Sequence, residues 1–398
     1  MVHLLVGCCP QISTRHRQNR GGLARHGRSF STLPPVPGRP YLTIDLATVR
    51  RNVAALRVAL PAAEIRYAVK ANPAEPVLRL LSELDCTFDV ASVGEIDLCA
   101  ATGIDGALMT FGNPLKKPAE VAYALARGVR RFTFDTAAGL EAIAENAPGS
   151  SVECRIAPTF PSSVTPFGHK FGCAPDEAVD LLTRASELGV HADGVAFHVG
   201  SQQLDPGAWE IGIRCAREIF NSVPGLSTLN LGGGIPISYD AQVPGVGIVG
   251  EAIAGALGRH FPVLPHVVIE PGRAIVGSAG TLFCEVVSVR TGTDGRRWVY
   301  LDIGRYGGLA ETENEYIRYR LRTRRDGDPV AEAVIAGPTC DGDDVLYRQY
   351  PLPVTLSPGD LVEIHSAGAY TTSYSSSFNG FEPLATQFVE VNDAVTTG

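Results

Sequence analysis

The sequence predicts an α/β fold in which a closed (β/α)8 TIM barrel is followed by a C-terminal antiparallel β domain. Between residues 41 and 276, short apolar runs alternate with amphipathic stretches eight times. This is the pattern of consecutive βα units that close into a parallel barrel. After residue 277 the helical spacing stops, and strand-like runs separated by turns remain. A chain of 398 residues has room for both domains.

The predicted barrel strands are rich in Val, Ile, Phe and Ala, as expected for strands that are buried on both faces. Stretches with apolar residues at helical spacing lie between them, for example Val49–Leu60, Pro73–Leu84, Pro175–Leu188 and Trp209–Phe220. The predicted strands are Ile65–Ala71, Phe88–Ser92, Ala107–Phe111, Arg131–Asp135, Val152–Ala157, Gly194–Gly200, Thr228–Leu231 and His266–Glu270.

Residues 277–398 are predicted to form the separate β domain. Turns such as Ser357-Pro358-Gly359 separate its apolar runs. Tyr41–Asp45, ahead of the barrel, is a candidate additional strand of this domain. The strands predicted within it are Thr281–Arg290, Arg297–Leu301, Ala331–Ala336, Val354–Leu356 and Asp360–Ile364.

Residues 1–40 form an extension that differs from the rest of the chain, because no Asp or Glu occurs before Asp45. Three interpretations stay open: a mitochondrial-type transit segment, a disordered tail, or coding sequence read from a start codon that was set too early.

The composition excludes several classes of protein. No apolar stretch reaches the roughly 18 residues of a membrane span, so we expect no membrane partner. The net charge is -8 without a basic block beyond the N-terminus, which argues against nucleic-acid binding. The nine cysteines are scattered and odd in number, as expected for reduced thiols. We therefore expect a cytoplasmic protein, or a mitochondrial one if the extension is a transit segment.

Chemically capable side chains fall at or near the ends of the predicted strands. The C-terminal ends of barrel strands share one mouth, so residues far apart in sequence converge there, and we expect the active site at this mouth, between the two domains. The residues concerned are Lys70, Asp89, Asp135, Arg155, His198, the Gly232, Gly233, Gly234 triplet and Glu270.

These residue types point to carbonyl and phosphate chemistry. Lys70 ends an apolar strand, where partial desolvation can keep an amine nucleophilic enough to form a Schiff base. The glycine triplet lets backbone amides approach an anion such as phosphate, and Arg273 can join that site. Glu270 is suited to holding a proton on a pyridine nitrogen, which makes the ring an electron sink. No HExxH, GxSxG or two-cysteine ligand pattern occurs, so we expect neither a metal nor serine-esterase chemistry.

The motifs together resemble those of the fold-type III pyridoxal-phosphate-dependent decarboxylases, and among them the ornithine/lysine decarboxylases. The resemblance extends over roughly residues 40 to 390 in order and spacing. The motifs are YAVKANP (Tyr67–Pro73), FDVASVGEI (Phe88–Ile96), FGNPLK (Phe111–Lys116), HVGSQ (His198–Gln202), the Gly232 triplet, EPGR (Glu270–Arg273), GPTCDGDD (Gly337–Asp344) and GAYTTSYSSSFNGF (Gly368–Phe381).

This resemblance implies an alanine-racemase-type barrel that binds pyridoxal 5'-phosphate (PLP), in a homodimer whose two active sites lie at the subunit interface. It implies that Lys70 bonds to the cofactor, that His198 stacks on its ring, and that Glu270 meets the pyridine nitrogen. The phosphate contacts implied are Ser201, Gly234, Gly272, Arg273 and Tyr370, with Asp89 and Arg155 in supporting positions. Cys340 and Asp341 match a pair that reaches the neighbouring subunit's site, the cysteine for protonation of the product and the aspartate for the distal amine of the substrate. Tyr306 and Phe378 join the substrate-binding set.

The implied substrate is a basic L-amino acid. Cys340-Asp341-Gly342 resembles the ornithine-type enzymes, whereas diaminopimelate decarboxylases carry a glutamate and a serine after this cysteine. Glu315 aligns best with the second substrate-binding acid. L-ornithine, giving putrescine and CO2, ranks first and L-lysine, giving cadaverine, second; arginine, diaminopimelate and a catalytically inactive regulatory role are the alternatives. Racemisation is disfavoured, because racemases of this architecture place an arginine where Glu270 stands.

Overall fold

The computed structural model describes residues 38–161, 163–166 and 170–390. These residues belong to one compact unit, 32–398. Residues 1–37 of the predicted extension (residues 1–40) are outside the described residues, and so are Cys8 and Cys9.

Within the described residues, eight parallel strands form a closed barrel. Each strand pairs with the next, and the last pairs with the first through Ile65 and Ile269. All eight predicted strands are confirmed, with ends that differ by a few residues. The strands are β2 Ala63–Ala68, β3 Thr87–Val90, β4 Met109–Phe111, β5 Arg131–Phe134, β6 Ser151–Arg155, β7 His191–Ala196, β8 Thr228–Asn230 and β9 His266–Ile269; β1, Tyr41–Asp45, precedes them.

Amphipathic helices connect the strands. In α1 the buried residues Val49, Val53 and Leu56 recur every three or four positions and form one apolar face, and the carboxylate of Asp45 caps the first turn by accepting from two backbone amides. The four helices predicted are confirmed as α1, α2, α6 and α7. The helices are α1 Leu46–Ala59, α2 Glu75–Glu83, α3 Val93–Ala101, α4 Pro118–Ala126, α5 Ala137–Asn146, α6 Pro175–Glu187, α7 Ala208–Ser222, α8 Val246–His260 and α9 Arg273–Val276.

The C-terminal region forms a β domain, as predicted, but its sheet is mixed rather than purely antiparallel. β11 pairs with β13 in parallel, and β1 pairs in parallel with β16, while the other pairings are antiparallel. Strand β1 also pairs with β10, which confirms that Tyr41–Asp45 joins this domain. Its other elements are β10 Gly280–Thr291, β11 Arg297–Leu301, β12 Leu321–Thr323, β13 Val330–Ala336, β14 Val345–Pro353, β15 Leu361–His365, the short helix α10 Thr371–Tyr374 and β16 Ala385–Val389.

The predicted strand Val354–Leu356 is wrong. These residues form the turn after β14, and the strand occupies Val345–Pro353 instead. The observed strand, β14, contains Pro351 and Pro353, and prolines in a sequence argue against a central strand. Because β14 is an edge strand of the sheet, it tolerates them.

Among the described residues, no helix is both long enough and apolar enough to cross a membrane.

Candidate active site

A cavity of about 400 Å³ lies at the C-terminal mouth of the barrel. Its wall brings together most of the residues predicted to hold a cofactor, although they come from six of the eight barrel strand ends or the loops after them and, for Tyr370, from the β domain. The predicted residues on this wall are Lys70, Asp89, Arg155, His198, Ser201, Gly233, Gly234, Glu270, Gly272, Arg273 and Tyr370. Gly232 does not line the cavity; its carbonyl accepts from the Glu270 amide at 2.8 Å and ties β8 to β9 behind the wall.

Lys70 lies one step beyond its strand, because β2 ends at Ala68 and residues Val69–Ala71 form a single 3-10 turn. Its Nζ donates to Asp89 Oδ2 at 2.7 Å. The side chain is 47 % exposed, but the surface it exposes is part of the cavity wall. Burial disfavours the charged amine, yet Asp89, together with Tyr370 and Glu270, outweighs burial, and the pKa of Lys70 is raised. Desolvation alone therefore does not keep this amine neutral, contrary to the expectation from sequence.

Glu270 follows β9 directly and stands at the floor of the cavity. Its Oε1 accepts from Asn230 Nδ2 at 2.6 Å and from Arg66 Nη1 at 3.4 Å. Burial, assisted by the nearby charge of Asp89 and opposed by Arg66, raises the pKa of Glu270 to about 7. In the absence of a cation above it, this carboxyl is therefore half protonated near neutral pH.

Two charged residues beneath Glu270 were missed by the sequence interpretation. Arg66 and Glu153 are each 1 % exposed and form an ion pair inside the barrel at 2.9 Å. Their signal in the sequence is a charge in the middle of an apolar run, as in Ile65-Arg66-Tyr67 and Val152-Glu153-Cys154. A buried charge of this kind is rare unless it is paired.

The glycine-rich turn after β8 forms a narrow cradle. A Cβ at Gly234, where φ is +93°, would stand 2.3 Å from the carbonyl oxygen of Gly200, and one at Gly233 would stand 2.6 Å from that of Glu270. Only glycine lets the backbone reach the cavity here. The cradle therefore leaves backbone amides close to whatever anion binds in it.

Arg273 is buried beside this cradle, with 5 % of its surface exposed. Its terminal nitrogens donate to Ser201 Oγ at 3.2 Å, to the hydroxyl of Tyr239 at 2.5 Å and to both carboxylate oxygens of Glu311. Its Nε has no hydrogen-bond partner within the described chain. The guanidinium lies 4.8 Å from the centre of the Tyr370 ring. A fixed cation with a buried donor to spare fits an anionic ligand.

His198 and Arg155 line the walls above the floor. Burial, together with the positive charges of Arg155 and Lys70, lowers the pKa of His198 well below its ordinary value, so the ring is neutral. Its Nδ1 accepts from the Gly200 amide at 3.0 Å, which fixes the plane of the imidazole. A neutral, fixed aromatic ring is suited to stacking on another ring.

The predicted substrate residues form a second group, which lies on the β domain. Tyr306 donates to Asp341 Oδ2 at 2.7 Å and packs against Phe378 with 4.6 Å between ring centroids, while Asn379 donates to Cys340 Sγ at 3.1 Å. Tyr306 and Phe378 line a cavity of about 430 Å³ that shares no lining residue with the barrel cavity. Within one chain, therefore, this group does not share a cavity with Lys70.

Glu315 belongs to neither group. It lines a cleft of about 230 Å³ with Arg305 and Arg348, and its carboxylate accepts from the Arg348 amide at 2.8 Å and from Arg318 at 3.3 Å. Its oxygens hold these segments of the β domain together.

Among the described residues, no group of three His, Cys, Asp or Glu side chains is placed to hold a metal ion.

The barrel cavity fits a phosphorylated pyridine aldehyde in three respects. It has an amine at Lys70, an acid on the floor at Glu270, and a glycine cradle beside the spare donor of Arg273. The fold and the site thus define an enzyme of the class that binds PLP in a TIM barrel through a lysine.

The family comparison agrees with this class. Residues 46–277 match the family model for the pyridoxal-binding domain of pyridoxal-dependent decarboxylases. The chain therefore belongs to the pyridoxal-dependent decarboxylase family, and PLP is its cofactor.

Individual relatives match over most of their length. The lysine/ornithine decarboxylase of Selenomonas ruminantium is 37 % identical over 348 residues, which cover 86 % of this chain and 87 % of the relative. The ornithine decarboxylase of Schizosaccharomyces pombe is 32 % identical over 366 residues, covering 87 % and 83 %. The crystal structure of the lysine/ornithine decarboxylase of Vibrio vulnificus with cadaverine superposes with a TM-score of 0.80 at 33 % identity, covering 88 % of this chain and 94 % of that one.

Proposed function

We propose that this protein decarboxylates basic L-amino acids, with L-ornithine as the first substrate and L-lysine as the second, and releases CO2 and a diamine. The observation that carries the proposal is the convergence of Lys70, Glu270 and Arg273 on one buried cavity. Relatives named for lysine and ornithine support the substrate class. The Vibrio vulnificus enzyme, which is similar to this chain, has been solved with cadaverine and with putrescine.

In this proposal the cofactor supplies one thing, a protonated ring that draws electrons from the substrate carbon that loses CO2. The chain does the rest. Lys70 would hold the cofactor through its amine, and Arg273, Ser201 and the glycine cradle would hold its phosphate. Neutral His198 would pack against the ring, and Glu270 would keep the proton on the ring nitrogen. Asp89, Arg155, Gly272 and Tyr370 complete the wall around these groups.

We also propose that the complete site is shared between two copies of the chain. Cys340 and Asp341 line neither cavity, and their neighbours Tyr306 and Phe378 line a cavity separate from that of Lys70, which supports a site completed by a second copy. In the shared site Cys340 protonates the product and Asp341 meets the distal amine of the substrate, while Tyr306 and Phe378 shape the pocket around it. The Tyr306 hydrogen bond fixes the Asp341 carboxylate. Glu315 would act at this site only by giving up its contacts with Arg318 and Arg348.

The first experiment is CO2 release by the purified PLP-loaded protein with L-ornithine, L-lysine, L-arginine and meso-diaminopimelate supplied separately. Turnover of ornithine or lysine is expected. Turnover of diaminopimelate alone would refute the substrate class, and inactivity on all four would favour a regulatory role. Lys70→Ala is the control, because it removes the amine on which the proposed chemistry depends.

The shared site has its own test. Mixing Lys70→Ala chains with Cys340→Ala chains should restore part of the activity, because mixed dimers would contain one intact site. No recovery after the subunits have exchanged would contradict sharing.

We propose a cytoplasmic location. All seven cysteines in the described part of the chain are free, including Cys154 and Cys173, whose sulfur atoms lie 3.6 Å apart. Free thiols at this spacing suit a reducing compartment. Fractionation of cells that express the tagged full-length chain tests this location.

A further inference from the structure

The interior of the barrel holds four polar side chains beneath the cavity, and we call them the barrel-core cluster: Arg66, Glu153, Asn230 and Glu270. Arg66 Nη1 donates to both oxygens of Glu153, at 2.9 and 3.1 Å, and also reaches Glu270 at 3.4 Å. Asn230 Nδ2 donates to Glu153 at 2.9 Å and to Glu270 at 2.6 Å. Each carboxylate is thus held by the same two donors, from β2 and from β8.

This arrangement fixes where Glu270 points. A carboxylate directly after a strand end could rotate toward several neighbours, but its Oε1 is held from two sides. Asn230 is itself oriented, because its Oδ1 accepts from the Gly232 amide at 2.9 Å. The glycine turn that borders the cavity and the acid on its floor are therefore set by one side chain.

The cluster also carries an imbalance of charge. When both carboxylates are ionised, one guanidinium faces two negative charges, and Glu64 adds a further carboxylate at 3.7 Å from Arg66 Nε. The unneutralised charge disfavours ionised Glu270 unless a cation stands above it. Three other charged groups act on Glu270. Asp89 from β3 also disfavours its ionised form, whereas Lys70 after β2 and Arg155 from β6 favour it.

We propose that Arg66, Glu153 and Asn230 are positioning residues that set the direction and the charge of Glu270 opposite the ring nitrogen of the cofactor. This inference rests on the proposed function, in which Glu270 faces that nitrogen. Arg66 favours the ionised acid and Glu153 disfavours it, so the balance between them sets the pH at which Glu270 ionises. An ordinary core needs no such cluster, because well-packed apolar residues serve its stability as well or better.

The proposal predicts shifts of opposite sign from two conservative changes. Arg66→Gln removes the favourable cation, so Glu270 should ionise at higher pH. Glu153→Gln removes the competing anion and leaves Arg66 to Glu270, so Glu270 should ionise at lower pH. Each shift should be about one pH unit, the lower end of the range for a charge at this distance. Loss of packing would not produce opposite signs.

The readout is the absorption spectrum of the bound cofactor in the holoenzyme, recorded from about pH 5 to about pH 9, together with the pH profile of kcat; the transition followed is loss of the proton that Glu270 shares with the ring nitrogen. Glu270→Gln identifies the transition that belongs to Glu270, because this variant should lack it. Glu210→Gln is the matched control, since Glu210 forms an exposed ion pair with Arg259 on the outer helices. Its profile should coincide with that of the unmodified protein.

The spectrum of Glu270→Gln distinguishes failure of the proposed function from failure of this inference. If Glu270→Gln has the same spectrum and pH profile as the unmodified protein, Glu270 does not face the ring nitrogen, and the assignment made under the proposed function fails together with this inference. If Glu270→Gln loses the transition but Arg66→Gln and Glu153→Gln leave it in place, only the inference is overturned.

A second variant tests the proposal if a single variant does not fold. The double change Arg66→Met with Glu153→Leu replaces the ion pair by apolar side chains and should fold, because the two other carboxylates near Arg66 keep partners: Glu270 keeps Asn230, and Glu64 keeps Thr87 and His266. Its transition should lie between those of the two single variants. A transition that coincides with either single variant would contradict the balance proposed.

Discussion

Glu270 should make the stability of the cofactor-free protein depend on pH, and Glu270→Gln should remove that dependence. Burial raises the pKa of this carboxyl from an ordinary 4.5 to about 7, with Asp89 adding to the rise and Arg66 opposing it. The folded protein therefore binds a proton at Glu270 more tightly than the unfolded chain does. Glutamine has the shape of the protonated acid and carries no charge at any pH.

The sign follows from this difference. Below pH 4.5 Glu270 is protonated in both the folded protein and the unfolded chain, so it does not lower the free energy of unfolding. Between 4.5 and about 7 the unfolded chain ionises while the folded protein keeps its proton, so stability falls as the pH rises, and above about 7 the full penalty is present. A difference of about 2.5 pKa units, 7 minus 4.5, corresponds to roughly 3 kcal/mol at 1.36 kcal/mol per unit.

The assay is urea denaturation of the cofactor-free proteins at a series of pH values between about 5 and about 8, with the free energy of unfolding taken at each. The free energy of unfolding of the variant should rise relative to that of the unmodified protein as the pH rises, by up to about 3 kcal/mol at the upper end of the pH range. Other titrating groups are common to both proteins and cancel in the difference. A difference that stays constant with pH, or that changes with the opposite sign, would refute the reasoning about Glu270.

Two further predictions concern other parts of the barrel. Asp89→Asn removes the charge that raises the pKa of Lys70, so the amine should be less protonated and should capture free PLP about tenfold faster at pH 7 by stopped-flow absorbance; slower capture would contradict the role of that charge. Gly212→Ala should lower the free energy of unfolding by about 1 to 3 kcal/mol, because the new Cβ would lie 2.4 Å from the ring of buried Phe197. Gly258→Ala is its control: nothing lies within 4 Å of that Cβ, so the change should be neutral or slightly stabilising in urea denaturation.

The barrel could be predicted from sequence because of how its strands are buried. Both faces of a parallel barrel strand are buried, so these strands appear in the sequence as short, nearly continuous apolar runs. The reactive groups are then recognisable at the ends of the runs. Strand β14 could not be found this way. Its sequence VLYRQYPLP mixes tyrosine, arginine and proline, since it lies at the end of the sheet order and its exposed positions tolerate polar side chains.

The predicted cavity residues were found one by one, but their electrostatics could not be. The charge on Lys70 depends on Asp89, from the next strand, and no periodicity in one strand reports that 2.7 Å contact. Arg66 and Glu153 are 87 positions apart and meet only when the barrel closes. Each appears in the sequence as an unexplained charge in an apolar run, and only their pairing explains both.

The group around Cys340 was expected from the family resemblance and not from local spacing, since only Cys340 and Asp341 are adjacent and Tyr306 lies 35 positions before Asp341. Glu315 shows the limit of alignment by position alone. Asn314 and Glu315 both adopt positive φ, 51° and 55°, so the backbone reverses and turns the side chain toward Arg318. A count of residues along the chain does not reveal such a reversal.

The position of β1 has a consequence for how the chain is made. This strand leaves the ribosome before any part of the barrel, yet its two hydrogen-bonded neighbours, β10 and β16, are synthesised only after the whole barrel. The leading strand therefore has neither of its hydrogen-bonded neighbours until every barrel strand has been synthesised. A chain cut before β16 would keep every barrel strand and still expose one edge of β1, where another copy could add its own strand.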